Sequence, residues 1–528
     1  MIEIPQNCVL EIKFESSTTY EAPDDVIFEL QITDPNGQTM VLPGFWAGES
    51  TWCARVSSPT SGRFSYTTSC SDKTDAGLQD QLGEFEVVPY EGTNALLLHG
   101  KLRVSKDNRH LEHADGTFFF WLGDTWWMGF TKRLHWSEEF ALLTADRVEK
   151  GFTVIQIVAG LYPDMPPFDA RGANEAGFPW LVDKFARINP EYFDFVDRRV
   201  EHLVNAGLVP CIVGSWGYFL DIMGVAALKK HWRYLIARYG AYPVVWCIAG
   251  EALMRYYLDK KIPKNLEKKE RRKRKSAWSD ITFFVRSIDG FHNLITIHPT
   301  RYGHDQLDNP KLLDIDMLQT GHANPYGELA VIRNTVKMIQ HARKQEMPVV
   351  VGEVCYEGIL EANRQQIQRC LFWATMLSGA AGHTYGANGI WQLNRRDQSF
   401  GASPHGSSWG ETPWEDAYQL PGSKHVGVGK EILCKYPWWK FEPHPEWVLG
   451  KLTFAAGIPG ELRIFYRLVP GRFVIRKLER GVKYNATWID PKDGNQVPIG
   501  IITALRNRTW ITPNPPILQD WLLLLGKE

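Results

Sequence analysis

The chain has 528 residues, 44% hydrophobic and 23% charged, which excludes disorder, a short peptide and a disulfide miniprotein; length alone predicts about three to four domains. Its 59 Lys and Arg nearly cancel its 60 Asp and Glu, so a net charge of -1 gives no global attraction to nucleic acid or anionic lipid, and a neutral partner is expected. The aromatic share is 12%, with 21 Trp; most of these are expected in cores, and a few where a flat ring with one polar edge grips a sugar face.

Residues 1–92 alternate apolar and polar positions in short runs (VLEIKFE, VIFELQIT, GRFSYTTS, GEFEVVPY) split by turn clusters such as Asp34-Pro35-Asn36-Gly37, which predicts a small β-sandwich. Trp46 and Trp52 in it read as inter-sheet core. The first residues carry neither the basic cluster nor the apolar stretch of a signal peptide. No window holds about 18 uninterrupted apolar residues. A cytoplasmic protein with no membrane partner is the simplest expectation. The eight Cys form no CxxC pair and have no regular spacing, so neither a zinc site nor a disulfide framework is signalled, and no metal or cofactor is expected.

From residue 93 to 437 short apolar strands alternate with amphipathic helices, the pattern of βα units on a parallel sheet. Eight strands are expected, at 118–123, 153–159, 208–214, 244–250, 293–298, 315–320, 348–353 and 381–386. SEEFALLTADRVEKG reads as a helix with Ser137 as N-cap, and EYFDFVDRRVEHLVNAG as one that ends at Gly207. The expected fold class is α/β: a (β/α)₈ TIM barrel flanked by two β-sandwich domains, at 1–92 and 438–528. A doubly wound sheet is the alternative, but WLGDTWW after the first strand is not its Gly-rich phosphate loop. Residues 260–275 hold ten Lys or Arg against Glu267 and Glu270; a solvated helix or loop is preferred to a nucleic-acid patch, with a lid or subunit contact as a third reading. The sandwiches offer edges and faces for a homo-oligomer.

Barrel enzymes place catalytic groups at the C-terminal ends of strands. Polar and aromatic residues there are Asp124, Trp126 and Trp127 after the first strand, Gln156 in the second, Ser215 and Trp216 after the third, and Glu251 after the fourth. His298, Arg301, Tyr302 and His304 follow around the fifth, Gln319 and His322 around the sixth, Glu353 at the seventh, and His383 and Tyr385 on the eighth. Glu251 and Glu353 are two carboxylates from opposite sides of the barrel, as glycoside hydrolysis requires: one protonates the leaving oxygen while the other attacks the anomeric carbon or activates water. Asp124 reads equally as a sugar-hydroxyl acceptor or a structural cap. Trp126, Trp127 and Trp216 are candidates for stacking, with at least one in the barrel core. His298, His322 and His383 are candidates to bind hydroxyls or orient Glu353, and lack metal-binding HxH or HExxH spacing. Gln156, Tyr302, Gln319 and Tyr385 complete the substrate-binding set. Glu357 is the rival second carboxylate.

WLGDTWWMGF, GFTVIQIVAG, EYFDFVDRRVEHLVNAGLVP, the SWG after the third strand, VVWCIAGE, QTGHA and PVVVGEVCYE together resemble the apiosidase-like glycoside hydrolases. The resemblance implies a (β/α)₈ barrel between a small N-terminal β-sandwich and a C-terminal one related to collagen-binding-like modules. It also implies a retaining pair, with Glu251 as acid/base and Glu353 as nucleophile, acting on a small plant-type glycoside: apiose, an arabinofuranosyl-like pentose or another sugar. Two departures stand out. Relatives carry Gly-Gly-Asp where this chain has Ala249-Gly250-Glu251, and larger barrel hydrolase groups place an Asn where Gly250 stands. A non-catalytic carbohydrate-binding protein is the alternative; the discriminator is whether Glu251 and Glu353 share a pocket with Asp124. Loops 160–190 (Asp164, Asp169, Arg171, Asn174) and 387–424 (Trp391, Trp409, Trp414) are expected to shape the subsites.

Overall fold

The computed structural model describes residues 2–181 and 185–528; Met1 and residues 182–184, the latter within a loop expected to shape the subsites, lie outside the described residues. Alternation in the N-terminal segment builds two layers. One is a five-stranded sheet in the order Ile2–Pro5, Leu82–Val88, Gly62–Cys70, Phe28–Thr33, Thr39–Pro43; the other has three strands, Leu10–Glu15, Thr51–Val56 and Phe45–Gly48. Phe28, Leu30 and Ile32 turn inward while Glu29, Gln31 and Thr33 do not, and Trp52 joins their core as expected.

A three-stranded meander (Leu102–Val104, Leu111–His113, Phe118–Phe119) follows. It corrects one sequence expectation: residues 118–119 pair with 111–112, not with the barrel, whose first strand starts at Trp121.

The barrel strands are β1 (Trp121–Thr125), β2 (Val154–Val158), β3 (Val209–Val213), β4 (Val245–Cys247), β5 (Ile295–Thr296), β6 (Asp316–Gly321), β7 (Val349–Val354) and β8 (Gly382–Tyr385). All ladders are parallel, neighbours follow chain order, and β8 returns to β1. Between β5 and β6 the ring is carried by Asp314 N–H on the Ile295 carbonyl (2.8 Å) and Thr296 Oγ1 on the Ile315 carbonyl (2.9 Å). Helices cover one face and core side chains the other, so these strands read as continuous apolar runs. The helix expected to end at Gly207 spans Pro190–Asn205, with Gly207 left-handed at φ 81°. The other spans Glu138–Glu149, yet the Ser137 hydroxyl makes no capping bond; instead the Ser137 N–H donates to Glu138 and the His135 N–H to Glu139. The basic run opens a helix at Lys264–Ile288 whose first turns are exposed, anchored where Arg274 is buried against the carbonyls of Gly217 and Met254.

Beyond the barrel lie a six-stranded sheet (Glu442–Pro443, Thr453–Ile458, Leu462–Arg467, Trp521–Lys527, Lys483–Ile489, Gln496–Thr503) and a three-stranded one (Val448–Leu449, Val474–Ile475, Trp510–Ile511). Leu522 and Leu524 point to the barrel core and Trp521, Leu523 and Leu525 to the sandwich core, so a two-residue period serves both. Among the described residues no helix is long and apolar enough to cross a membrane.

Candidate active site

Strand ends set the site. β4 ends early, and the chain runs on through Ala249 and Gly250, held by His298 N–H on the Ala249 carbonyl (2.9 Å) and Gly250 N–H on the Ser215 carbonyl (2.9 Å). Glu251 then turns with φ 42°. A Cβ at Gly250 would sit 2.1 Å from the Trp216 ring, so the indole occupies the space that any larger residue there would claim. On the far side, Glu353 is paired in register with Gln319 of β6, and the ladder is irregular on both sides of Gln319. Such bulges re-aim side chains beside active sites.

Glu251 and Glu353 line one cavity of about 190 Å³. The Gln319 amide joins them: Nε2 donates to Glu251 Oε1 at 3.0 Å and to Glu353 Oε1 at 2.9 Å. His322 Nε2 lies 2.7 Å from the same Glu353 oxygen, and His298 Nε2 lies 3.2 Å from Oε2 without the angle of a good hydrogen bond. Burial, with the neighbouring Glu353 charge second, pushes the Glu251 carboxyl up to about 7. Burial also acts to raise Glu353, but the two histidines outweigh it and hold that carboxyl well below the usual range. The two carboxyls therefore differ in protonation near neutrality, the arrangement that separates an acid from a nucleophile.

Trp127 and Trp216 form one wall, edge to face at 5.5 Å, and His298 packs behind both. Trp127 Nε1 donates to the Tyr356 hydroxyl at 3.1 Å. Tyr356 was not singled out from the sequence; the only signal was its place three residues after Glu353. Trp391 and Trp409 of the long last loop also line the cavity, whereas Trp414 is fully buried.

Several expected substrate contacts are corrected. Asp124 is fully buried and saturated: Oδ2 accepts from Arg147 Nε at 2.6 Å and Trp126 Nε1 at 2.7 Å, and Oδ1 from the Thr125 N–H. Trp126 is thereby core as well, against Phe140. Gln156 is spent inside the barrel on the Gly352 carbonyl at 2.8 Å. Tyr302 packs outside the cavity on His304 and His341. His383 is fully buried against Phe372, and burial pushes its imidazole down to about 3, so it stays neutral. Tyr385 donates to Glu357 at 2.6 Å, and Glu357 also accepts from the Gly422 N–H, so the rival carboxylate is a structural bolt in the loop after β7. The two glutamates thus share a pocket, and Asp124 stands outside it. No group of three His, Cys, Asp or Glu among the described residues is placed to hold a metal ion.

Residues 105–440 match the family model "Apiosidase-like, catalytic domain". The chain belongs to the apiosidase-like family. Membership makes it a glycoside hydrolase with a carbohydrate substrate. Residues 3–71 match a domain of unknown function, DUF5060. Among solved structures, a glycoside hydrolase is 24% identical with a TM-score of 0.65, over 81% of this chain and 97% of its own. A glycoside hydrolase family 5 protein from Bacteroides vulgatus ATCC 8482 is 22% identical with a TM-score of 0.66, over 81% and 94%. A second protein of that organism reaches a TM-score of 0.69 over the whole of both chains at 17% identity, so the three-part fold recurs end to end. No curated protein matches the chain.

Proposed function

We propose that this apiosidase-like hydrolase is a retaining glycosidase that acts on a small plant-type glycoside, apiosidase-like or another furanosidase, by double displacement. Glu251 protonates the glycosidic oxygen while Glu353 attacks the anomeric carbon. Glu251 then takes a proton from the water that releases the sugar. The observation that carries this reading is the shared Gln319 amide. Two oxygens bonded to one nitrogen lie within about 6 Å of each other, which supports the spacing of retaining pairs, about 5–5.5 Å, over that of inverting ones, about 6.5–9.5 Å. The cavity and its tryptophan walls suit the apolar face of a sugar ring.

Aryl glycosides of pentoses and hexoses, in furanose and pyranose forms, test it. Glu353→Gln should lower kcat by about four orders of magnitude or more. Glu251→Gln should lose alkyl glycosides yet spare aryl glycosides whose leaving groups need no proton. NMR of the first product should show the substrate's own anomer. Net inversion, or near-normal turnover by Glu353→Gln, overturns the mechanism.

A further inference from the structure

A third carboxyl enters the same cavity. Asp164, in the loop after β2, is 8% exposed and lines the pocket with Glu251 and Glu353. Its charge acts on Glu251, raising that group's proton affinity. The loop presents it in the left-handed region, φ 57°, a strained placement of the kind that gathers at binding sites. Oδ1 accepts from Ser403 Oγ, the Asp164 N–H donates to the Tyr257 hydroxyl at 3.1 Å, and the Tyr257 and Trp409 side chains act as further donors beside the carboxylate. Burial raises the Asp164 carboxyl above its ordinary value.

Trp216 and Trp391 line the cavity with their rings, while their indole N–H groups are closed to solvent. No Lys or Arg is among the described residues that line the pocket. Three carboxyls, tryptophan walls and no Lys or Arg form a site for a neutral, hydroxyl-rich ring and a hostile one for a carboxylate or sulfate.

We propose that Asp164 is a specificity residue of the sugar subsite: its carboxylate accepts a ring hydroxyl, and its charge, with that of Glu353, excludes uronic acids. This rests on the hydrolase reading but not on its mechanism, so its test is binding. Matched free sugars, D-galactose with D-galacturonate, D-glucose with D-glucuronate, and the pentoses L-arabinose and D-apiose, are titrated at pH 6 against the tryptophan fluorescence of the cavity. At least one neutral sugar should quench, and no uronate should bind within tenfold of its neutral partner. Asp164→Asn keeps size and the Ser403 acceptor but loses the charge; it should weaken the neutral sugar by about tenfold or more, as for loss of a charged hydrogen bond, and narrow the gap to the uronate. Ser403→Ala, which removes the loop tie alone, should weaken binding far less. Equal binding of a uronate by the unaltered protein, an unaffected Asp164→Asn, a Ser403→Ala variant that reproduces the whole loss, or no quenching by any sugar each overturns the proposal. Hydrolysis of aryl glycosides, assayed in parallel, shows whether the catalytic reading stands without it.

Discussion

Gln319 does what neither glutamate can do for itself. Two buried carboxyls side by side repel; burial and the Glu353 charge keep the proton on Glu251, and one amide that donates to both offsets part of the repulsion. On the proposed mechanism activity needs Glu251 protonated and Glu353 ionised. Because Glu251 is raised to about 7, kcat/KM should fall as pH rises through about 7, while the acid limb, set by the depressed Glu353, lies well below the ordinary carboxylate range. The Gln319 bond favours the charged form of Glu251, so Gln319→Leu should move the basic limb upward as well as lower kcat, and a pH–rate profile reads both. A limb that stays put would detach Gln319 from the proton's fate. The pair was legible in the sequence because its strands end in Gly-Glu after apolar runs. Asp124, Trp126 and Tyr385 were misread for one physical reason: position at a strand end does not say whether a side chain turns to the cavity or back into the wall. Arg147, which claims Asp124, lies on a helix 23 residues later and leaves no mark in the strand's own pattern.

At the scale of elements, polar side chains that might have faced substrate instead join strand to helix. Asp124 at the end of β1 holds Arg147 of the Glu138–Glu149 helix, both fully buried, and Tyr385 of β8 reaches through Glu357 to the N-terminus of the Pro421–Cys434 helix. Removing one partner of such a pair leaves the other buried and unpaired, so Asp124→Asn should cost about 3–5 kcal/mol in chemical denaturation. Its KM should change little at temperatures where the protein stays folded, whereas a direct substrate contact would show there first. Strand number and order were legible from periodicity; the meander before β1 was not, because FFFW reads as one apolar run and the break at Phe120 is made by pairing with residues 111–112. The irregular register at Gln319 left no trace either, since a bulge is a property of two strands together.

At the scale of the molecule, the two sandwiches are built into the barrel. Phe45 of the N-terminal sandwich lies under the guanidiniums of Arg55 and Arg238, and Asp197 pairs with both. On the other side Arg369 of the barrel grips Asp520 through two bonds, 2.6 and 2.8 Å, and Tyr466 donates to the same carboxylate. Phe45, Leu522 and Leu524 belong to the same continuous apolar core as the barrel. Calorimetry should therefore record one cooperative unfolding transition, and Arg369→Leu should split a smaller, earlier one from it; independent melting of the unaltered protein would show that these contacts do not couple the parts. The strand Trp521–Lys527 carries a further consequence. It pairs with Leu462–Arg467 on one side and Lys483–Ile489 on the other, so it is the middle of its sheet although it is reached after both neighbours. While the chain is being synthesised, two hairpins wait with bare edges until this segment emerges between them. The interval is the one in which a chaperone has most to shield, and the segment that ends it also delivers the anchor for Arg369.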